Sequence, residues 1–151
     1  MITTNKYSRA IVALFCLMAA TLYSCKKSND NSTPADSQIS LLTNGTWKIS
    51  KLEYQTSGGS WVTVAIPSAQ ANETISFNKD NTYFSYAGSI ANGSWKFSAD
   101  YSQIFLVNQS NAVSGTLTVN ALTQSTLQIQ QAGTQVVNGT TYSAERDTFT
   151  H

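Results

Sequence analysis

Three features of the chain predict an all-β fold, a small antiparallel up-and-down β-barrel of eight to nine strands. From residue 41 onward the composition is rich in Thr, Val, Ile, Tyr, Trp and Phe and poor in the Lys, Glu and Leu that fill surface helices. Turn signals recur at a spacing of roughly 8 to 12 residues, as in sandwiches and barrels. Between them apolar residues alternate, the period of a half-buried strand, and no stretch carries a convincing helical period.

The elements follow in order. Asn44-Gly45 opens a first strand over residues 46–54, and Ser57-Gly58-Gly59-Ser60 turns the chain into a second over 61–66. Pro67, which cannot donate to a ladder, ends it. Strands at 73–78 and 82–88 flank Lys79-Asp80-Asn81, where Asn81 is suited to the left-handed conformation of a tight hairpin. Asn92-Gly93 reads as the turn before a strand at 94–98, and Ala99-Asp100 as the turn before one at 103–107. Two more are expected at 115–121 and 126–131, and Asn138-Gly139 precedes a closing strand at 142–150.

Parity nominates an inward set: Trp47 and Ile49, Ile75 and Phe77, Trp95 and Phe97, Ile104 and Leu106, Leu117 and Val119, Leu127 and Ile129. In the first strand the apolar parity shifts from Trp47 and Ile49 to Leu52 and Tyr54, which predicts a β-bulge near Ser50-Lys51.

The N-terminus reads differently. Lys6 and Arg9 precede an apolar run over residues 10–22, the order of a secretory signal. That run is too short to span a bilayer, which takes about 20 helical residues. Leu22-Tyr23-Ser24-Cys25 resembles a bacterial lipobox, in which the cysteine is lipidated and becomes the new N-terminus. The expected organisation is a lipoprotein signal peptide over 1–24, a flexible tether over 25–40 and the barrel domain over 41–151. Cys16 would leave with the signal, so Cys25 would be the single cysteine of the mature chain and no intrachain disulfide could form. The expected location is a bacterial envelope membrane, most naturally the outer membrane, with the domain facing the periplasm or the surface.

Removing Lys6 and Arg9 from nine basic residues leaves seven against eight acidic ones, which gives no electrostatic reason to expect nucleic acid as a partner.

The segments Asn44-Gly45-Thr46-Trp47-Lys48, Glu73-Thr74-Ile75-Ser76-Phe77-Asn78-Lys79-Asp80-Asn81-Thr82-Tyr83, Gly93-Ser94-Trp95-Lys96-Phe97, and Leu122-Thr123 with Thr126-Leu127 carry a resemblance. Over residues 42–127 the chain resembles the lipocalin-like lipoproteins of Bacteroidetes-type Gram-negative bacteria. Gly45-Thr46-Trp47 is similar to the Gly-x-Trp that opens the first lipocalin strand. The resemblance implies a basic last-strand residue over that tryptophan, a place for Arg146, and a barrel able to hold a small apolar molecule.

Chemistry is sparse. The single histidine is the terminal His151, which excludes a histidine-based triad or a multi-histidine metal site within the chain. The carboxylates Glu53, Glu73, Asp80, Asp100, Glu145 and Asp147 read as turn and surface groups, with Glu145 and Asp147 sharing the face opposite to Arg146. No catalytic residue, metal or cofactor is expected, and the chain is not expected to be an enzyme. Among the aromatic residues Tyr83, Tyr86 and Trp95 are the candidates for lining a ligand pocket. The leading expectation is a lipid-anchored protein binding a small hydrophobic ligand. The alternative is a protein-interaction module, such as an envelope accessory subunit or a hydrolase inhibitor.

Overall fold

The computed structural model describes residues 34–151. Cys25, the 1–24 segment and the first part of the expected tether lie outside the described residues. The architecture is the expected one: a nine-stranded antiparallel sheet in which eight strands close into a barrel and one strand is extra.

A helix, α1 (Pro34–Leu42), precedes the strands where tether and strand approach were expected. Its apolar residues Ile39, Leu41 and Leu42 are too few to show a period in sequence, and tertiary contact supplies what is missing. Leu42 is fully buried and Ile39 packs against the same cluster. Thr43 ends the helix by donating from both its amide and its hydroxyl to the Ile39 carbonyl, at 2.9 and 2.8 Å.

The strands are β1 (Thr46–Gln55), β2 (Trp61–Val64), β3 (Thr74–Phe77), β4 (Thr82–Tyr86), β5 (Ile90–Phe97), β6 (Gln103–Val107), β7 (Val113–Leu122), β8 (Thr126–Val137) and β9 (Thr140–Thr150). One edge of β1 is shared: its first residues pair with β3, and Leu52 to Gln55 pair with β2. Its other edge pairs with β9 along nearly its whole length, which closes the eight-stranded barrel and leaves β2 outside the closure. The register slips between Ile49 and Lys51, so the bulge foreseen from the parity shift is present and returns Leu52 and Tyr54 to the interior.

Asn81 stands at φ 64° in the β3–β4 hairpin, as expected of an asparagine there. The Asn92-Gly93 reading is corrected: both residues lie inside β5, and the reversal comes earlier, at Gly88 with φ 75°. Gly93 is required by close approach rather than by a turn. A Cβ there would collide with the carbonyl oxygen of Val107 and come within 2.9 Å of the Tyr83 ring.

The inward set is confirmed. Trp47, Ile49, Ile75, Phe77, Trp95, Ile104, Leu117, Leu127 and Ile129 are buried in one cluster, with Phe97, Leu106 and Val119 packed against it. Tyr83 from β4, Phe149 from β9 and Leu42 from α1 complete it. This dense core fills the end of the barrel where β1 begins. Trp47 sits at its base with no exposure, and its indole nitrogen donates to the Leu42 carbonyl at 2.9 Å.

Candidate functional site

The opposite end of the barrel, where β1 finishes, is open. A cavity of about 440 Å³ lies there, floored by Leu52 and Tyr54 of β1. Its walls are Val64, Ile66 and Pro67 on one side and Val137, Thr140 and Tyr142 of the β8–β9 hairpin on the other. Each wall has a sequence cause. β2 ends at Val64, two residues short of the expected strand end, and Pro67, which has no N–H to donate, follows in the segment that lines the cavity. The β8–β9 hairpin runs beyond the last β7 pairing, with Gly133 at φ 144° and a register slip between Ala132 and Gln135. Tyr54 and Tyr142 stack across this end with ring centroids 5.0 Å apart.

Behind the cavity floor the interior is acidic. Glu145 and Asp147 share the inward face of β9 with Phe149, opposite Tyr54 and Leu52 of β1, and Glu73 enters from the residue before β3. Burial first, and then the charges of Glu145 and Glu73, push the Asp147 carboxyl up to about 8. It therefore keeps its proton at neutral pH and donates to Glu145. Burial also raises Glu145 and Glu73, and burial together with the Glu145 and Asp147 charges raises the Tyr54 phenol. Asp147 is only 6 % exposed, and its Oδ1 has no hydrogen-bond partner.

The surface reading of Glu73, Glu145 and Asp147 is thus corrected. Glu145 and Asp147 do share the face opposite to Arg146, but that face is the interior. The available signal was the parity of the last strand, which puts residues 145 and 147 in phase with the apolar Phe149. Asp80 and Asp100 are turn residues as expected, each accepting hydrogen bonds from the residue two further on.

Arg146 points to the outer wall. Its Nε donates to Glu53 Oε2 at 3.0 Å and a terminal nitrogen lies 2.9 Å from the same oxygen, while Lys51 holds Oε1 at 2.9 Å. The guanidinium lies 4.1 Å from the centre of the Trp61 ring. The Lys51 hydrogen bond foremost, and then those of Arg146, hold the Glu53 carboxyl below its ordinary range against the opposing effect of burial.

The expected Trp47–Arg146 pair is therefore replaced by two others. The β1–β9 register places Lys48 opposite Thr150 and Glu53 opposite Arg146. Arg146 is thus separated from Trp47 along β1 by about 20 Å of strand at 3.3 Å per residue. What covers Trp47 is His151, with ring centroids 3.8 Å apart and Nδ1 3.1 Å from the Thr46 carbonyl.

The pocket candidates are also placed elsewhere. Tyr83 is buried in the core beneath Gly93, and Trp95 is buried with its indole nitrogen donating to the Asn78 carbonyl at 3.1 Å. Tyr86 lies on the outer surface of β4, 41 % exposed, where Phe84 and Ile90 are exposed with it. None of the three lines the cavity. Of the residues that do, Tyr54 and Tyr142 come together through the β1–β9 pairing and Val64 through the β1–β2 pairing.

A closed eight-stranded antiparallel barrel with one filled end and one open end is consistent with a lipocalin-like fold. No protein-family model matches the chain, and no curated protein sequence matches it. Among the described residues, no group of three or more His, Cys, Asp or Glu is arranged to hold a metal ion, and no helix is long and apolar enough to cross a membrane.

Proposed function

We propose that this chain is a non-catalytic envelope lipoprotein, anchored through lipid on Cys25, whose barrel binds a small ligand at its open end. The observation that carries the binding reading is the cavity of about 440 Å³, whose walls are mainly aliphatic and aromatic. That size falls within the range of small-molecule sites, roughly 300 to 1,000 Å³. The filled opposite end leaves this mouth as the route by which a ligand enters.

Native mass spectrometry of the full chain, purified from a host that lipidates such proteins, tests the binding reading. A reproducible small-molecule mass released on unfolding is the expected result. Protein that is ligand-free in every preparation, with no compound extracted above a blank, would overturn it. The anchor has its own test: Cys25→Ser should lose acyl label and leave the membrane fraction, and unchanged labelling and partitioning would remove that part of the proposal.

A second reading is favoured by the outer surface of β4 and β5, where Phe84, Tyr86 and Ile90 are all exposed. Clustered apolar side chains on a barrel wall suit contact with a partner protein.

A further inference from the structure

We infer that the buried Glu145–Asp147 carboxyl pair is a proton-operated latch on the open end of the barrel. With one proton shared between the two groups, β9 stays sealed against β1 beneath the cavity. When that proton leaves, the open end loosens while the filled end stays shut.

The latch follows from placement. Glu145 and Asp147 point inward from β9, the strand whose pairing with β1 closes the barrel. Asp147 stands between Leu52 of β1 and Ile129 of β8, and Glu145 stands opposite Tyr54. Leu52 and Tyr54 also line the cavity, and Tyr54 stacks on Tyr142 at 5.0 Å. A shift in the carboxyl pair therefore reaches the cavity through its lining, without either carboxyl opening onto it.

Two carboxyl groups in hydrogen-bond contact need a proton between them, because two carboxylates at that distance repel. Asp147 and Glu145 make that contact. Nothing around them replaces the proton once it is lost. Asp147 is only 6 % exposed, and its Oδ1 has no hydrogen-bond partner. The groups facing it are Glu145 on its own strand, Glu73 from the residue before β3 and the Tyr54 phenol of β1, none of them a cation, and its β8 neighbour is Ile129. Arg146 and Lys51 turn to the outer wall, where both bind Glu53. A charged Asp147 in this setting is dry and unpaired, and water entering along the β1–β9 seam is what can solvate it.

The working range follows from the same surroundings. Burial first, and then the charges of Glu145 and Glu73, push the Asp147 carboxyl up to about 8 in the closed barrel, from an ordinary value of 3.8. The closed form therefore holds the proton more tightly than an open, hydrated form does. Closure is strongest at low pH, weakens by up to about tenfold per unit as pH rises, and levels off above about 8. Glu145 and Glu73, also raised by burial, act in the same direction, whereas Glu53, whose value is lowered, titrates below this window.

Amide hydrogen exchange on the full chain between pH 6 and pH 9, corrected for the base-catalysed chemical rate, tests the latch. Peptides covering residues 52–55, β2 and residues 142–147 should lose protection by about tenfold or more between pH 6 and pH 8. Peptides around Trp47, Phe77 and Leu127 at the filled end should keep theirs. Asp147→Asn should hold the loss under about threefold, and Glu145→Gln, whose amide can donate to Asp147 in place of the shared proton, should do the same. Protection that is flat in pH, or that falls equally at both ends of the barrel, overturns the latch, as does an Asp147→Asn protein with the wild-type dependence. The wild-type pattern decides even where a variant does not fold. An opened end holds a ligand less tightly, a consequence that rests on the proposed binding role. Protein that never carries a compound at any pH removes that role and leaves the exchange result standing.

Discussion

The guanidinium of Arg146 lies over the ring of Trp61, 4.1 Å from its centre, on the outside of the barrel. The same side chain meets Glu53, whose carboxylate is 7 % exposed. Arg146 thus joins β9, β1 and the extra strand β2 at one point. A planar fork can stack and chelate together, which an ammonium cannot. Arg146→Lys should destabilise by about 1 kcal/mol and Arg146→Ala by about 2–3 kcal/mol, since the latter leaves Glu53 buried with Lys51 alone. Urea unfolding measures both, and indistinguishable midpoints for the two variants would contradict this role.

Asp147 makes stability depend on pH with a definite sign. Its carboxyl is pushed up to about 8 in the folded protein, against an unfolded value near 3.8. The native state therefore binds the proton more tightly, and stability falls as pH rises from about 4 to about 8. Glu145 and Glu73, also raised by burial, act in the same direction. Glu53, whose folded value is lowered, acts oppositely: its contribution is present above the unfolded value and is lost as pH falls through the folded one. Asp147→Asn should remove most of the loss between pH 5 and pH 9, on the order of a few kcal/mol at about 1.4 kcal/mol per unit. Thermal melts across that range in both proteins provide the check.

Gly93 faces a backbone carbonyl that cannot step aside. Gly93→Ala should destabilise by about 1–3 kcal/mol as an overpacked site, although alanine has the higher strand propensity. A variant as stable as the parent would show that β5 and β6 move apart freely there.

Asn81, at φ 64°, tolerates what a β-branched residue does not. Asn81→Gly should be neutral or mildly stabilising and Asn81→Val should cost about 1–2 kcal/mol. Chemical denaturation distinguishes them, and equal midpoints would mean the hairpin relaxes into another turn.

His151 covers Trp47, the largest fully buried side chain. His151→Ala should cost about 0.5–1.5 kcal/mol and increase the solvent sensitivity of Trp47 fluorescence, whereas His151→Phe should retain most of the stability. Quenching by acrylamide, with the other two tryptophans substituted, reads the change directly.

Local chemistry made much of this molecule legible in advance. Alternation of Ile75 with Phe77 and of Leu127 with Ile129 set their inward faces, because strand side chains point alternately to opposite sides. The parity shift between Ile49 and Leu52 required the bulge near Ser50-Lys51, since no regular strand puts both residues on one face. Asn81 marked its turn for a reason confined to its own backbone. Other features depended on which strands meet. Arg146 lies in the last strand and His151 directly after it, and only the β1–β9 register put His151 over Trp47 and Arg146 over Trp61. The same register set Glu145 and Asp147 beside Tyr54 and Leu52 on the inward face, turning two carboxylates that read as surface groups into interior ones. Pairing and burial join residues some ninety positions apart, and neither is encoded in the few residues around each, so the fold class was a property of the sequence pattern and the site a property of closure.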